Sequence, residues 1–286
     1  MAAHRVALVT DSTCNIPHDL VQQYDIRVIP QHLIWGADDL LDLVDIDAAT
    51  FYLRLARDPT HPKTSQPPVS EFLTLFEQLR AEGAQEIVCL TISTRLSGTY
   101  ASAIGAKEMI DLPVQVYDSR AAGMGLGWQV IAAARAREAG GDAVAMLDAA
   151  EYVRTHMAMV LTVDTLEYLY KGGRIGAAQR ILGTALNLKP QLIINAETGI
   201  IEPGERTRTR RKAIEAMWNV FSKSVDTSKP LHVAVHHAAA RQEALELENR
   251  LREEYRPVEL FTNELTPVVG THAGPGTLAI AGYYES

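Results

Sequence analysis

Apolar and polar positions alternate along the first half of the chain in short blocks of two kinds. "RVALVTD" reads as a buried strand, followed by Pro17 at the start of a short helix, "PHDLVQQY". "RVIPQHLIW" reads as a second strand and "DAATFYLRLARD" as a helix. In "VSEFLTLFEQLRAEG" the residues Phe72, Leu75, Phe76 and Leu79 fall at i, i+3, i+4 and i+7, which predicts an amphipathic helix stopped by Gly83. "EIVCLTIS" (strand), "GTYASAIGAKEMI" (helix), "VQVYDS" (strand) and "GWQVIAAARAREAG" (helix) continue the series. Repeated strand–helix alternation predicts a mainly parallel sheet with helices on both faces.

The pattern changes near residue 157. "MAMVLTVDTLEYL" and "KPQLIINAETGIIEP" read as strands, and the "ETG" between apolar runs predicts a hairpin. Helices "RKAIEAMWNVFSKS" and "ARQEALELENRLREEY" alternate with strands "LHVAVHH" and "PVELFTNEL". The fold expected is therefore α/β in two domains, residues 1–155 around a mainly parallel sheet and 156–286 around a mixed sheet. No Gly-, Pro- or Ser-rich linker separates them, so they are expected to pack closely, and a ligand is expected between them.

Composition narrows the function classes. With 286 residues, 47% hydrophobic and 22% charged, the chain can build sizeable cores. Its 27 basic and 35 acidic residues give a net charge of −8, which argues against a nucleic-acid partner. No apolar run approaches the roughly 20 residues of a membrane helix, so no integral membrane segment is expected. The opening "MAAHRVALVTD" has one basic residue and runs into a strand, unlike a secretory signal. Two cysteines, Cys14 and Cys89, make no disulfide framework and fit a cytoplasmic protein.

Candidate chemistry gathers in loops. "CLTISTRLSGTYASA" places Ser93, Thr94, Ser97, Gly98 and Thr99 where a strand hands over to a helix. Thr10, Asp11, Ser12 and Thr13 follow the first strand, and Thr64 and Ser65 precede the Phe72 helix. Such hydroxyls either cap helices or converge with free amides on an anion. In "VVGTHAGPGTLAIAG" three glycines surround His272. "GPGTLA" matches G-x-G-x-x-A but lacks the acidic residue some 20 positions on, so no nucleotide cofactor is expected. Arg174 lies beside a Gly pair in "YKGGRIG", and "GERTRTRRKA" clusters Arg206, Arg208, Arg210 and Arg211, a pattern suited to a solvated helix start or to phosphate and acidic partners. His232, His236 and His237 share one strand without a third ligand to complete a metal site. A Ser/His esterase using Ser97 and His272 stands as the alternative, although the G-x-S-x-G elbow is absent. A phosphosugar or nucleotide binder using the same helix starts is the other rival.

Taken together, "VTDST" at 9–13, "TSQP" at 64–67, "ISTRLSGTY" at 92–100, "YDS" at 117–119, "LEYLYKGGRI" at 166–175 and "GTHAGPGT" at 270–277 resemble the DegV family. The motifs keep the family's order over about residues 4–284. The resemblance implies a non-catalytic protein that binds a long-chain fatty acid, such as palmitate or oleate, between two α/β domains. It implies that Thr64 and Ser97 hydrogen-bond the carboxylate, with His272 beside it and the backbone near Gly98 and Thr99 helping. The family is also similar to the lipid-binding subunit of bacterial fatty-acid kinase, which presents the carboxylate to a separate ATP-binding subunit. That arrangement makes Arg174, Arg206 and Arg208 candidates for meeting the kinase or phosphate, in lipid transport or fatty-acid metabolism.

Overall fold

A computed structural model describes residues 6–182 and 188–285. Strand β1 (Val6–Asp11) leads through a short helix, α1 (His18–Gln23), to β2 (Ile26–Ile29). Pro30 then ends that strand, and the chain turns into a hairpin of β3 (His32–Trp35) and β4 (Asp38–Leu41). Helix α2 (Ala48–Leu55), strand β5 (Lys63–Ser65), helix α3 (Val69–Ala81), strand β6 (Glu86–Thr91), helix α4 (Thr99–Lys107) and strand β7 (Val114–Asp118) follow. Two helices, α5 (Met124–Glu138) and α6 (Ala143–Thr155), precede β8 (Met157–Thr162). The remainder is α7 (Glu167–Lys171), α8 (Gln179–Leu182), β9 (Lys189–Ile194), β10 (Ile201–Thr207), α9 (Arg210–Ser224), β11 (Leu231–His237), α10 (Arg241–Glu254), β12 (Glu259–Glu264), α11 (Pro267–Ala273) and β13 (Leu278–Tyr284).

The architecture is α/β. A four-stranded sheet in the order β2-β1-β6-β7 is wholly parallel. A six-stranded sheet in the order β10-β9-β8-β13-β11-β12 is mixed, with β11 and β12 parallel and the other pairs antiparallel. The hairpin expected around "ETG" is the β9–β10 pair. Helices α3 and α4 cover one face of the parallel sheet through Phe72, Phe76, Ala103 and Ala106. Helix α5 covers the other and is buried on nearly every face, because it also packs on β13 of the mixed sheet. Helices α9 and α10 close the far side of the mixed sheet through Met217, Phe221, Leu247 and Leu251.

Several local expectations need correction. "RVIPQHLIW" is two strands in two sheets, because Pro30 has no amide hydrogen to continue the ladder. The result is an antiparallel sheet, β4-β3-β5, that the alternation pattern did not announce. The "TSQP" segment begins on that sheet, with Thr64 paired to Leu33, rather than in a helix-start loop. "TLEYL" leaves the strand and becomes helical at Glu167. Residues 143–155 form a helix capped by Asp142, whose carboxylate accepts from Ala145 N at 3.0 Å. The glycine-flanked stretch around His272 is helix α11 with Pro267 in its first turn, and the apolar run after it is β13.

The two large sheets are stitched together by polar contacts that span the sequence. Asn15 Nδ2 donates to Glu264 O at 2.9 Å, Ser93 Oγ to Gly199 O at 2.9 Å, and Trp128 Nε1 to Ala281 O at 3.1 Å. Helix α11 leans on the small sheet and α2, where Phe51, Tyr52, Leu33 and Val268 share a core. This docking carries His272 across to Thr64.

Candidate functional site

Between the two large sheets lies a cleft of about 840 Å³, open solvent at its mouth included. Its walls are of two kinds. Thr13, Gln31, Thr64, Gln66, Ser97, Arg174 and His272 supply polar atoms, while the larger remaining part is aliphatic, including Ile92, Leu96, Met159, Leu161, Ile194 and Ala279.

The polar residues converge because three elements end together. Thr64 Oγ1 and His272 Nε2 are 2.8 Å apart. Ser97 Oγ lies 2.8 Å from Thr99 Oγ1 and receives the Thr99 amide at 3.4 Å. Gln31 Nε2 donates to Thr99 Oγ1 from behind at 2.8 Å. Helix α4 opens at Gly98 without a side-chain cap, so the crowded hydroxyls of this turn serve other partners. Thr94 Oγ1 donates to Asp118, and Ser93 Oγ to Gly199 O. Ser97 Oγ meets the helix start only through the long 3.4 Å contact from the Thr99 amide, which leaves its hydroxyl hydrogen for another partner.

His272 is held tightly. A Cβ at Gly172 would collide with its Nδ1, so the ring lies against bare backbone, and only glycine permits that approach. Nδ1 is buried and has no hydrogen-bond partner among the described residues. Burial, with Arg174 and His61 nearby, pushes the imidazole down to about 4. The ring is therefore neutral at pH 7, and this depressed value removes stability as pH falls from 6.5 toward 4, where the unfolded chain takes up the proton first. A histidine NMR titration, assigned with His272→Asn, should show no transition for this ring between about pH 5 and 8, the range in which an unperturbed imidazole titrates. A midpoint in that range would contradict the geometry.

Arg174 lines the cleft and reaches across it, donating from Nε to Leu96 O at 2.9 Å and from Nη1 to Gly172 O at 2.7 Å. Arg206 and Arg208 are exposed on and just beyond β10, away from the cleft walls. Arg210 starts α9 and pairs with Glu243 at 2.8 Å, which separates it from Arg206 and Arg208. His232 bridges Glu259 at 2.5 Å and Glu285 at 2.9 Å, while His236 accepts from Met124 N at 3.1 Å. Among the described residues no group of three or more His, Cys, Asp or Glu is placed to hold a metal ion.

An esterase would need Ser97 within reach of a base. Among the described residues the Ser97 hydroxyl meets Thr99, His272 Nε2 meets Thr64, and no carboxylate orients Nδ1. The arrangement offers hydrogen-bond donors to an anion and lacks a nucleophile–base contact. Gln31 is the polar residue that sequence reasoning passed over, although a glutamine inside the apolar run "RVIPQHLIW" was a visible signal.

Residues 5–285 match the family model described as an uncharacterised protein of the DegV family. A DegV domain-containing protein of Streptomyces coelicolor is 36% identical over 282 residues, 98% of each chain. A DegV family protein from Thermus thermophilus, solved as a fatty-acid-binding structure, superposes with a TM-score of 0.91 at 32% identity, covering 98% of this chain and 100% of that one. DegV from Bacillus subtilis, described as a fatty acid binding protein, gives a TM-score of 0.91 at 30% identity, covering 98% and 99%.

Proposed function

Because the chain belongs to the DegV family, we propose that it binds one long-chain fatty acid, with the carboxylate at Thr64 and Ser97 and the hydrocarbon along the aliphatic cleft. The observation that carries this reading is the division of one cleft's lining between a few polar side chains and a mainly aliphatic remainder. A fatty acid has the same division. Each buried methylene contributes about 0.8 kcal/mol, so the tail supplies most of the affinity and the head supplies orientation.

At the head, the His272 tautomer with its hydrogen on Nε2 donates to Thr64 Oγ1, leaving the Thr64 hydroxyl hydrogen for the ligand. Ser97 gives the second hydrogen bond, and the Gly98–Thr99 start of α4 adds a favourable dipole. In this reading residues 1–155 and 156–286 are two domains meeting at the acid, palmitate and oleate are suitable ligands, and no cofactor takes part. The protein presents the carboxylate to a separate ATP-binding kinase subunit in fatty-acid metabolism, with Arg174 at the head and exposed Arg206 and Arg208 facing that partner. A cytoplasmic location suits Cys14 and Cys89, both buried free thiols.

Mass spectrometry of the purified protein under native conditions tests the reading: a co-purified fatty acid supports it, and a bound nucleotide or sugar phosphate contradicts it. Ser97→Ala should weaken palmitate binding by about 1–3 kcal/mol, as when a charged acceptor loses one donor. Unchanged affinity by calorimetry removes Ser97 from the site.

A further inference from the structure

A serine hydroxyl has one hydrogen to give, and Ser97 has two places to send it: outward to a ligand in the cleft, or inward to Thr99 Oγ1 at 2.8 Å. Which it chooses depends on Thr99, a fully buried residue whose hydroxyl faces the same choice. Gln31 is positioned to decide both. Its Nε2 lies 2.8 Å from Thr99 Oγ1, and a primary amide nitrogen can only donate.

We propose that Gln31 is a positioning residue for the carboxylate site, acting through a relay in which its amide donates to Thr99, Thr99 donates to Ser97, and Ser97 is left to donate to the ligand. This rests on the fatty-acid reading above. Two observations favour this direction, although the Thr99 oxygen has a second lone pair open to Ser97. The amide is 2% exposed and its backbone is pinned, with Gln31 N donating to Ser12 Oγ at 3.1 Å and Asp42 N to Gln31 O at 2.9 Å. The buried Asp11 carboxylate accepts from Thr13 N at 3.0 Å, Thr13 Oγ1 at 2.6 Å and Ile92 N at 2.8 Å; burial raises its carboxyl, and the nearby Gln31 amide is among the groups that oppose the rise. A flipped amide would turn its oxygen toward that carboxylate, so the nitrogen faces inward and Thr99 is kept an acceptor on that side. Without this donor, Ser97 is free to satisfy Thr99 and to turn a lone pair toward the incoming anion.

A double-mutant cycle tests the relay, with palmitate affinity read by displacement of a fluorescent fatty-acid probe. Gln31→Met, which keeps the length and removes both donors, should weaken palmitate about tenfold in the native background and by less than about twofold when Ser97→Ala is already present. Binding of 1-hexadecanol, which has no charged acceptor, should fall less. Should Gln31→Met fail to fold, Thr99→Val breaks the relay one step later and should show the same dependence on Ser97. A Gln31→Met loss of equal size in both backgrounds, or no loss, overturns the proposal while leaving fatty-acid binding intact. Failure of the unmutated protein to bind palmitate sinks the fatty-acid reading and the relay with it.

Discussion

Ala279→Phe is expected to cut palmitate affinity by roughly 200-fold while leaving a folded protein, a factor set by the tail length it displaces. Ala279 lies on β13, opposite Leu161 on one neighbouring strand and His236 on the other, and its methyl faces the cleft. A phenyl ring there occupies space the tail needs. Excluding about four methylenes at about 0.8 kcal/mol each loses about 3 kcal/mol, which is the stated factor. The cleft takes part of the added ring, and Ala279 is otherwise buried, so the melting temperature should fall by the modest amount of a partly relieved overpacking. Affinity in the native protein should climb with each added methylene, whereas in the variant the climb should stop once the tail meets the ring. Calorimetry across a series of saturated acids checks this. Equal affinity for palmitate in both proteins would mean that the apolar part of the cleft is not where the tail goes.

The same residue shows why the site was only partly legible beforehand. Ala279 belongs to "TLAIAGYY", an apolar run whose buried members are chemically identical whether they face packed core or open cleft. Thr64, Ser97 and His272 could be singled out because a hydroxyl or imidazole among glycines demands a partner, whereas alanine and leucine make no such demand. The parallel sheet was legible because its strands are continuous apolar runs spaced by amphipathic helices. The small sheet was not, because its strands are short and β4 and β5 contain no fully buried residue to mark a period. Helix α11 was disguised by Gly270, which lies against Tyr52 and Phe51 where a larger residue would not fit. The glycines that suggested a loop thus record close packing of a helix onto the neighbouring lobe.

Asp42→Asn is expected to change the shape of the stability–pH curve strongly. Asp42 is 1% exposed, accepts from Ser12 Oγ at 2.6 Å and from Val268 N at 3.2 Å, and so ties the end of β1 to the first turn of the helix carrying His272. Burial, opposed by those hydrogen bonds and reinforced by the neighbouring Asp11, pushes its carboxyl from 3.8 up to about 7. A raised carboxyl holds its proton more tightly folded than unfolded, so it favours the fold fully below about pH 4 and loses that advantage as pH rises to 7. At about 1.4 kcal/mol per unit, the span corresponds to about 4 kcal/mol. His272 and His236, both pushed down to about 4, slope the other way between pH 4 and 6.5 and mask the effect in the unaltered protein. The difference between the two proteins removes that mask, since both retain the histidines. The introduced amide keeps one oxygen to accept from Val268 N, while its NH2 takes the place of the oxygen that accepted from Ser12 and donates to that hydroxyl instead, and it cannot ionise. The variant should therefore melt at or below the unaltered protein at about pH 4.5 and above it at about pH 8. Melting curves that run parallel across this range would show that Asp42 is ionised throughout, and that the polar seam beneath the cleft is held by charge rather than by a shared proton.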